Sequence, residues 1–450
     1  MRITLINDMV TPIGAFQKLR EFNPVFLLES VGKTGSAGRF SYIGLEPVKT
    51  VVHALGGAGS KGDAGGLIAK LRSALSQVPD HREILQRIPA GFVGMTPFEA
   101  ILEFSPSGFS KTLGGCPAEA VYVLPRFIIA FDHLKKTLSI EQVDRENLDE
   151  SEAAEIVRAL RGPLEHPSFK GGYEVDSTDR ADEAVRGRIG AVQRAVGDGK
   201  VYQAVVSKCI RGRTDIDPFQ IYRALRSLFP SPYLYFLNLP GRQVIGSSPE
   251  TLVRLEGGSV QLRPLSGFRP CGDDEARCER LGGELLADPL ENPKHHVFVE
   301  QARNDCYGVC EPGSVRVTQF KAVERSVNYI GLRSVVTGVK AGRFDQFDVY
   351  RSAFPAGTVA GAPKREAAEL VLQLDGETRG VYGGSVGYFS VNNTMEHAIA
   401  VRTIVVENGC FTAQAGAVIT AATNPEQESA NIACKCLKLL EAFEVGRDLL

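Results

Sequence analysis

The sequence predicts an α+β protein built around a mostly antiparallel sheet. Through the first half, short apolar runs rich in Val, Ile, Phe and Tyr alternate with turns. Near residue 180 the pattern changes to helices, each followed by strands that read as consecutive pairs. Short repeats and low-complexity tracts are absent, which removes solenoids and coiled coils.

Taken in order, the strands of the first half are "ITLI" (3–6), "VFLLES" (25–30), "RFSYIGL" (39–45), "VKTVVHAL" (48–55) and the long stretch 120–143. The glycine-rich connector 56–66 and the Pro/Gly-studded segment 94–117 read as loops. A charged run at 144–166 has helical spacing and leads to an expected linker near 165–178. Beyond it, an amphipathic helix at 181–199 precedes a strand at 200–212. A second helix at 217–229 precedes strands at 232–239, 242–258 and 259–267. Two long helices, from 293 and from 425, bracket more strands around 380–420. Each opens with Asn-Pro, Asn292-Pro293 and Asn424-Pro425, an N-cap followed by a residue that needs no backbone donor. Gln427 is placed to complete a capping box.

Composition excludes several classes of function. Lysine plus arginine total 51 against 53 acidic residues, a formal charge of −2 without a basic run, so nucleic acid is not an expected partner. No apolar stretch reaches the ~18–20 residues of a bilayer span, and the N-terminus lacks the order of a signal peptide, so a cytoplasmic location is expected. The 9 cysteines include no C-x-x-C pair and are expected to be reduced and mainly in the core. Gly32-Lys33-Thr34 invites a phosphate-loop reading, but Leu27 stands where that motif needs a glycine. "LENPKHHVFVEQARND" (290–305) crowds two histidines, a glutamate and a lysine at a helix start, open to reading as a metal or an acid–base site.

A series of blocks decides between such readings. "VYQAVVSK" (201–208), "VIGSSPETLVRL" (244–255), "RPLSGFRP" (263–270), "FPAGTVAGAPK" (354–364), "RGVYGGSVGY" (379–388), "AIAVRT" (398–403) and "QAGAVITAATNPEQE" (414–428) occur in this order. With 284–305 they closely resemble the chorismate-utilising enzymes, densely over 180–445. "FLLES" and "GRFSYIGLEP" (38–47) resemble anthranilate synthase component I in particular. The resemblance implies that family's fold, two packed antiparallel sheets flanked by helices. Residues 1–178 would contribute strands, and 179–450 would form the chorismate-binding catalytic region.

It also implies roles. Such an enzyme delivers a nucleophile to ring C2 while the C4 hydroxyl leaves, so it needs an acid for that hydroxyl and cations for the carboxylates. Glu250 is the implied acid. Arg402 and Tyr382 are the implied grip on the enolpyruvyl carboxylate, a task suited to a guanidinium. Thr358, Gly361, Gly267, Gly416 and Lys435 would line the substrate. The bland alternative for Arg402 is a core arginine paired with an acid. Gln203 stands where water-adding members carry lysine and ammonia-adding members glutamine, which implies amination. The ammonia would come from a separate glutamine amidotransferase subunit or from solution; further copies of the chain are the remaining expected partner.

Four departures from the family pattern bear on chemistry. The family's Mg²⁺ site, E-x-x-E-H with E-x-x-E, survives only as Glu291 and Glu428, with Lys294 and Asn431 at the other two glutamate positions. An ammonium there would repel a cation and could itself meet a substrate carboxylate, which makes Lys294 a candidate catalytic group and the Mg²⁺ cofactor doubtful. Phe268 and Val418 replace small residues and narrow the pocket. Gly331 takes the place of the histidine that serves pyruvate elimination. The expected activity is therefore amination of chorismate or a relative, with pyruvate release and metal both in question. A degenerate paralogue binding a small ligand or partner, and an enzyme for a modified substrate, are the competing readings. Leu28, Glu29 and Ser30, with Pro232 and Tyr233, resemble the tryptophan feedback site of anthranilate synthase, though Phe229 replaces its asparagine.

Overall fold

The computed structural model describes residues 2–31, 38–55, 66–79, 90–104, 118–144, 149–164, 171–176, 182–272, 274–326 and 329–449. The Gly32-Lys33-Thr34 motif, most of the 56–66 connector and much of the expected linker lie outside these.

The strands are β1 (Arg2–Ile6), β2 (Pro24–Glu29), β3 (Phe40–Ala54), β4 (Gly91–Thr96), β5 (Glu119–Asp132), β6 (Thr137–Gln142), β7 (Tyr173–Val175), β8 (Gln203–Thr214), β9 (Tyr233–Leu239), β10 (Arg242–Ser248), β11 (Thr251–Glu256), β12 (Ser259–Leu262), β13 (Leu265–Pro270), β14 (Arg316–Arg325), β15 (Tyr329–Val339), β16 (Gly361–Ala362), β17 (Ser385–Ser390), β18 (Met395–Ile399), β19 (Thr403–Glu407) and β20 (Cys410–Ile419). The helices are α1 (Pro12–Lys18), α2 (Leu67–Leu75), α3 (Ile101–Phe104), α4 (Glu150–Arg161), α5 (Asp182–Gly197), α6 (Pro218–Leu228), α7 (Glu275–Ala287), α8 (Glu291–Tyr307), α9 (Gln346–Ala353), α10 (Gly357–Ala360), α11 (Lys364–Asp375) and α12 (Pro425–Arg447).

All pairings are antiparallel, and they run in two directions from the long β3–β5 ribbon. One arm runs β1-β6-β5-β3-β2-β9-β10-β19-β20-β8. The other leaves the start of β5 through β4-β17-β18-β11-β12-β15, with β13 and β14 along β15. Because β2 pairs with β9 and β4 with β17, strands from both sides of residue 178 share ladders.

Alternation along each strand sorts side chains between two cores. Phe26, Tyr235, Leu237 and Val244 of the first arm meet Phe92, Val253, Val386 and Phe389 of the second in one apolar cluster, so the two arms pack as layers. Their neighbours Leu27, Phe236 and Ile245 point the other way, against α1, α4, α6 and α12.

Several sequence expectations are corrected. Segment 94–117 is not all loop: Gly94, Met95 and Thr96 complete the fully buried β4, and α3 follows. Its glycines hid a strand, because Gly94 and Gly91 admit close backbones where a Cβ would lie 2.0 Å from a carbonyl. The two runs at 39–45 and 48–55 form the single strand β3, interrupted only by a register shift at Pro47. Within the expected linker, β7 pairs with β8. Helices α7, α9, α10 and α11 lie in stretches that periodicity left unassigned.

At the second Asn-Pro opening Asn424 forms the expected N-cap of α12 by accepting the Gln427 amide at 3.0 Å. Asn424→Ala is expected to lower stability by about 1 kcal/mol, seen as a shifted urea midpoint at unchanged slope. The first does not. Helix α8 starts at Glu291, and its opening amides are taken by Asp288, which accepts from Leu290 and Glu291 at 2.9 and 3.0 Å. Asn292 instead donates to the Leu286 and Asp288 carbonyls. The cysteines are corrected too: Cys271 and Cys278 are joined by a disulfide, and Cys410 and Cys434 are exposed.

Candidate active site

Glu250 occupies the turn between β10 and β11, where its amide donates to Ser248 Oγ at 3.3 Å. The side chain is buried; its carboxyl oxygen accepts a long bond, 3.4 Å, from the Leu265 amide. With no cation beside it among the described residues, burial lifts its pKa from the usual carboxylate range to about 8, so the group holds its proton at neutral pH. Thr358, at the start of α10, faces this carboxyl, yet its Oγ1 is buried without a well-aligned hydrogen bond. A small pocket of about 30 Å³, partly open to solvent, opens beside Glu250 and is lined also by Phe298, Gln301, Asp305 and Thr358.

Arg402 lies between β18 and β19 in the left-handed region, φ 49°, with its carbonyl fixed by the Ser247 amide at 3.1 Å. A bulky residue held there stores strain of ~1–2 kcal/mol, and such strain tends to mark functional positions. Its guanidinium is enclosed by aromatic faces: Tyr329 at 4.9 Å, Phe229 at 5.7 Å and Phe268 at 6.0 Å. Desolvation lowers its pKa, and no carboxylate among the described residues is within ion-pair reach. The reading of Arg402 as a core arginine paired with an acid is thereby overturned.

Tyr382 is buried nearby. A Cβ placed on Gly416 of β20 would lie 2.5 Å from the Tyr382 hydroxyl and 2.7 Å from the Val206 carbonyl, so only glycine lets the two approach. The Gly416 carbonyl in turn accepts from Lys435 Nζ at 3.1 Å. Desolvation lowers the Lys435 pKa, opposed by the charges of Glu428 and Glu291, while Arg402 adds to the lowering. Lys435 thus lies in electrostatic reach of α8, α12 and the Arg402 turn and in contact with β20, and this region is the candidate cleft. Val418, two residues beyond Gly416, pairs with Val205 and is half-buried.

Gln203 opens β8 and is buried, with its Nε2 lacking a partner. Gly361 at φ 129° presses its backbone against it; a Cβ there would lie 2.3 Å from the Gln203 carbonyl. Phe268 is 40 % exposed and meets the Tyr329 ring at 5.2 Å. A Cβ on Gly331 would lie 3.8 Å from Phe268, so the phenyl ring takes up space into which a longer side chain at 331 would grow.

The "LENPKHH" stretch resolves residue by residue. Lys294 Nζ binds Glu291 Oε1 at 3.0 Å, one turn apart on α8. Glu428 is half-buried on α12, and Asn431 is exposed. His295 is fully buried between Ser266 and Ser334 at 2.8 and 2.7 Å, and burial lowers its pKa to about 4, which keeps it neutral. His296 is exposed against Phe320. Among the described residues no three His, Cys, Asp or Glu groups cluster to hold a metal.

At the residues read as an effector site, Glu29 is occupied by Tyr222, 2.6 Å, and Arg226, 3.0 Å. Ser30 Oγ accepts from the Gly38 amide, and the Tyr233 hydroxyl binds Thr251 and Glu396. Leu28 is half-buried in β2, and Pro232 precedes β9.

Sequence reasoning missed Tyr329, the ring nearest Arg402, and the half-buried Asp305–Lys364 pair at 2.8 Å. "ARND" and "GAPK" carried a signal for the pair, since an isolated buried charge needs a partner; nothing local marked Tyr329.

The fold and this cleft define a chorismate-binding class of protein. Residues 23–441 match the chorismate binding enzyme family, and the chain belongs to it. It is 35% identical over 442 residues to anthranilate synthase component 1 of Streptomyces coelicolor, covering 94% of this chain and 84% of that one. It is 35% identical over 461 residues to the same-named protein of Thermus thermophilus, covering 99% and 98%. Among solved structures, anthranilate synthase component I from Streptococcus pneumoniae superposes with a TM-score of 0.75 at 26% identity, covering 91% of this chain and 94% of that one.

Proposed function

We propose that this chain aminates chorismate, or a close relative, at ring C2 with ammonia, needs no divalent metal, and releases the aminated ring with its enolpyruvyl ether intact. The observation that carries this reading is Arg402, a desolvated guanidinium among aromatic rings with no carboxylate partner among the described residues, with Tyr329 in electrostatic reach of both Arg402 and Glu250. A half-buried, desolvated cation in that state is stabilised by an anionic ligand.

In this reading Arg402 and Tyr382 hold the enolpyruvyl carboxylate, and Lys435 and the Gly416 region face the ring carboxylate. Ammonia, oriented by Gln203, forms the C–N bond at C2; the ring double bonds shift and the C4–O bond breaks. Glu250 gives its proton to the departing hydroxyl, which leaves as water. Gly331 offers no acid or base for a further elimination. The relatives' name, component 1, fits a second subunit, here proposed to be a glutamine amidotransferase.

Mg²⁺, the family's cofactor, fits this donor set poorly. Of its four carboxylate positions two remain, and one of these is paired with Lys294. The expected result is that chorismate with ammonium gives an aminated product by mass spectrometry at the same rate with Mg²⁺ or with EDTA. Turnover lost in EDTA defeats the metal-free reading. No product and no chorismate binding by calorimetry defeats the substrate assignment. Lys294→Glu with Asn431→Glu is expected to make activity respond to Mg²⁺. The Lys294–Glu291 pair also favours a second reading, a ligand-binding paralogue, which predicts chorismate binding without turnover.

A further inference from the structure

Helix α7 is weakly anchored. Nine of its 13 residues are exposed, Leu281 is half-buried, and the buried residues are Cys278, Gly282 and Leu285, a stripe at helical spacing. Each docks on a different strand. Leu285 lies against Gly267 of β13, where a Cβ would be 2.7 Å from its methyl. Gly282 lies against Val323 of β14, and Cys278 joins Cys271 and Ile330 in a small cluster separate from the two main cores. The Cys271–Cys278 disulfide, with Cα atoms 5.6 Å apart, thus ties the residue after β13 to the first turn of α7.

Both ends of this tie lead to the cleft. Strand β13 carries Phe268, one of the rings around Arg402. The C-cap of α7 is Asp288, which opens α8 with its carboxylate and pairs with Arg269 at 2.7 Å, and α8 carries the Glu291–Lys294 pair. An element with so little apolar burial sits at the low end of local stability, so one covalent restraint changes its opening equilibrium more than it would inside a main core. A bridge of this kind in a reducing compartment is characteristically reversible.

We propose that Cys271 and Cys278 form a thiol–disulfide switch: the bridged state holds α7 and the Phe268 wall of the cleft in place, and the reduced state releases them. Reduction proceeds by exchange with a dithiol. One thiolate of the reductant attacks a bridge sulfur, the S–S bond breaks, and a mixed disulfide forms. The second thiolate resolves it, leaving two cysteine thiols and an oxidised reductant. This inference stands on the placement of the bridge and goes beyond the amination reading.

The test is hydrogen exchange by mass spectrometry on the whole chain, oxidised and after dithiothreitol, with alkylation to count free thiols. Peptides covering 275–287 are expected to exchange at least ~10-fold faster after reduction, while those of β9 and β10 stay unchanged, the signature of local opening. Cys271→Ser with Cys278→Ser should show the fast pattern in both conditions. Calorimetry with chorismate, run beside it, should give weaker binding in the reduced state. Equal exchange of 275–287 in both redox states, or alkylation of all 9 cysteines in a mildly oxidising buffer, overturns the switch. Absence of chorismate binding in both states, with the exchange difference intact, overturns only the substrate reading.

Discussion

Arg402→Ala is expected to lower kcat/KM for chorismate by roughly 10²- to 10³-fold, the loss that follows truncation of one partner of a desolvated charge pair. Arg402 sits among Tyr329, Phe229 and Phe268 with no carboxylate in reach among the described residues, so no protein anion stands ready to replace the substrate. Arg402→Lys is expected to recover little of that loss, because an ammonium cannot offer the forked pair of donors a carboxylate takes. Both variants keep a non-glycine residue at φ 49°, so the backbone cost already present is not added to. The check is steady-state kinetics with chorismate binding by calorimetry. A variant that keeps wild-type affinity would place the carboxylate elsewhere and remove the observation on which the functional reading rests.

Glu250→Gln is expected to reduce kcat by about 10²- to 10⁴-fold, the usual worth of a positioned general acid, with chorismate affinity nearly unchanged. Affinity is spared because the carboxyl is already neutral at pH 7, and glutamine copies its size and its neutrality. The pH dependence follows from the same burial. A pKa raised to about 8 leaves the proton in place below that value and removes it above, so wild-type turnover should fall as pH rises through about 8. The profile must be taken at constant free ammonia, since deprotonation of ammonium pushes the rate the other way. In the glutamine variant the alkaline fall should vanish; its persistence would assign that limb to another group.

Much of the site was legible because its residues sit in short blocks with strong local character. "SSPE" is a turn between strands, and Glu250 occupies it; "TNPEQE" opens a helix, and Asn424 caps it. "LENP" misled for a physical reason. Asp288, three residues before Glu291, captures the first amides, so Glu291 enters the helix and comes within one turn of Lys294. The periodic signal also failed for α7, whose apolar stripe is a cysteine, a glycine and a leucine in an otherwise polar helix. In the 94–117 segment, glycine marked close sheet packing where composition alone reads as loop.

The sequence by itself determined the fold class, the order of the chorismate-type blocks, the identity of the acid and guanidinium candidates, and the placing of Lys294 three residues from Glu291 and of Asn431 three residues from Glu428. These depend on residue type and local spacing, which the chain carries without reference to distant partners. Tertiary structure alone decided what those groups experience. Burial turned Glu250 into an acid that keeps its proton at neutral pH. The approach of β13 and β15 to the 402 turn wrapped Arg402 in rings from Phe268 and Tyr329, residues more than 70 positions away in sequence. Helix geometry set Lys294 on Glu291, and the chain path joined Cys271 to Cys278. Desolvation, charge pairing and a covalent bridge all depend on distances between residues, and those exist only once the chain has folded.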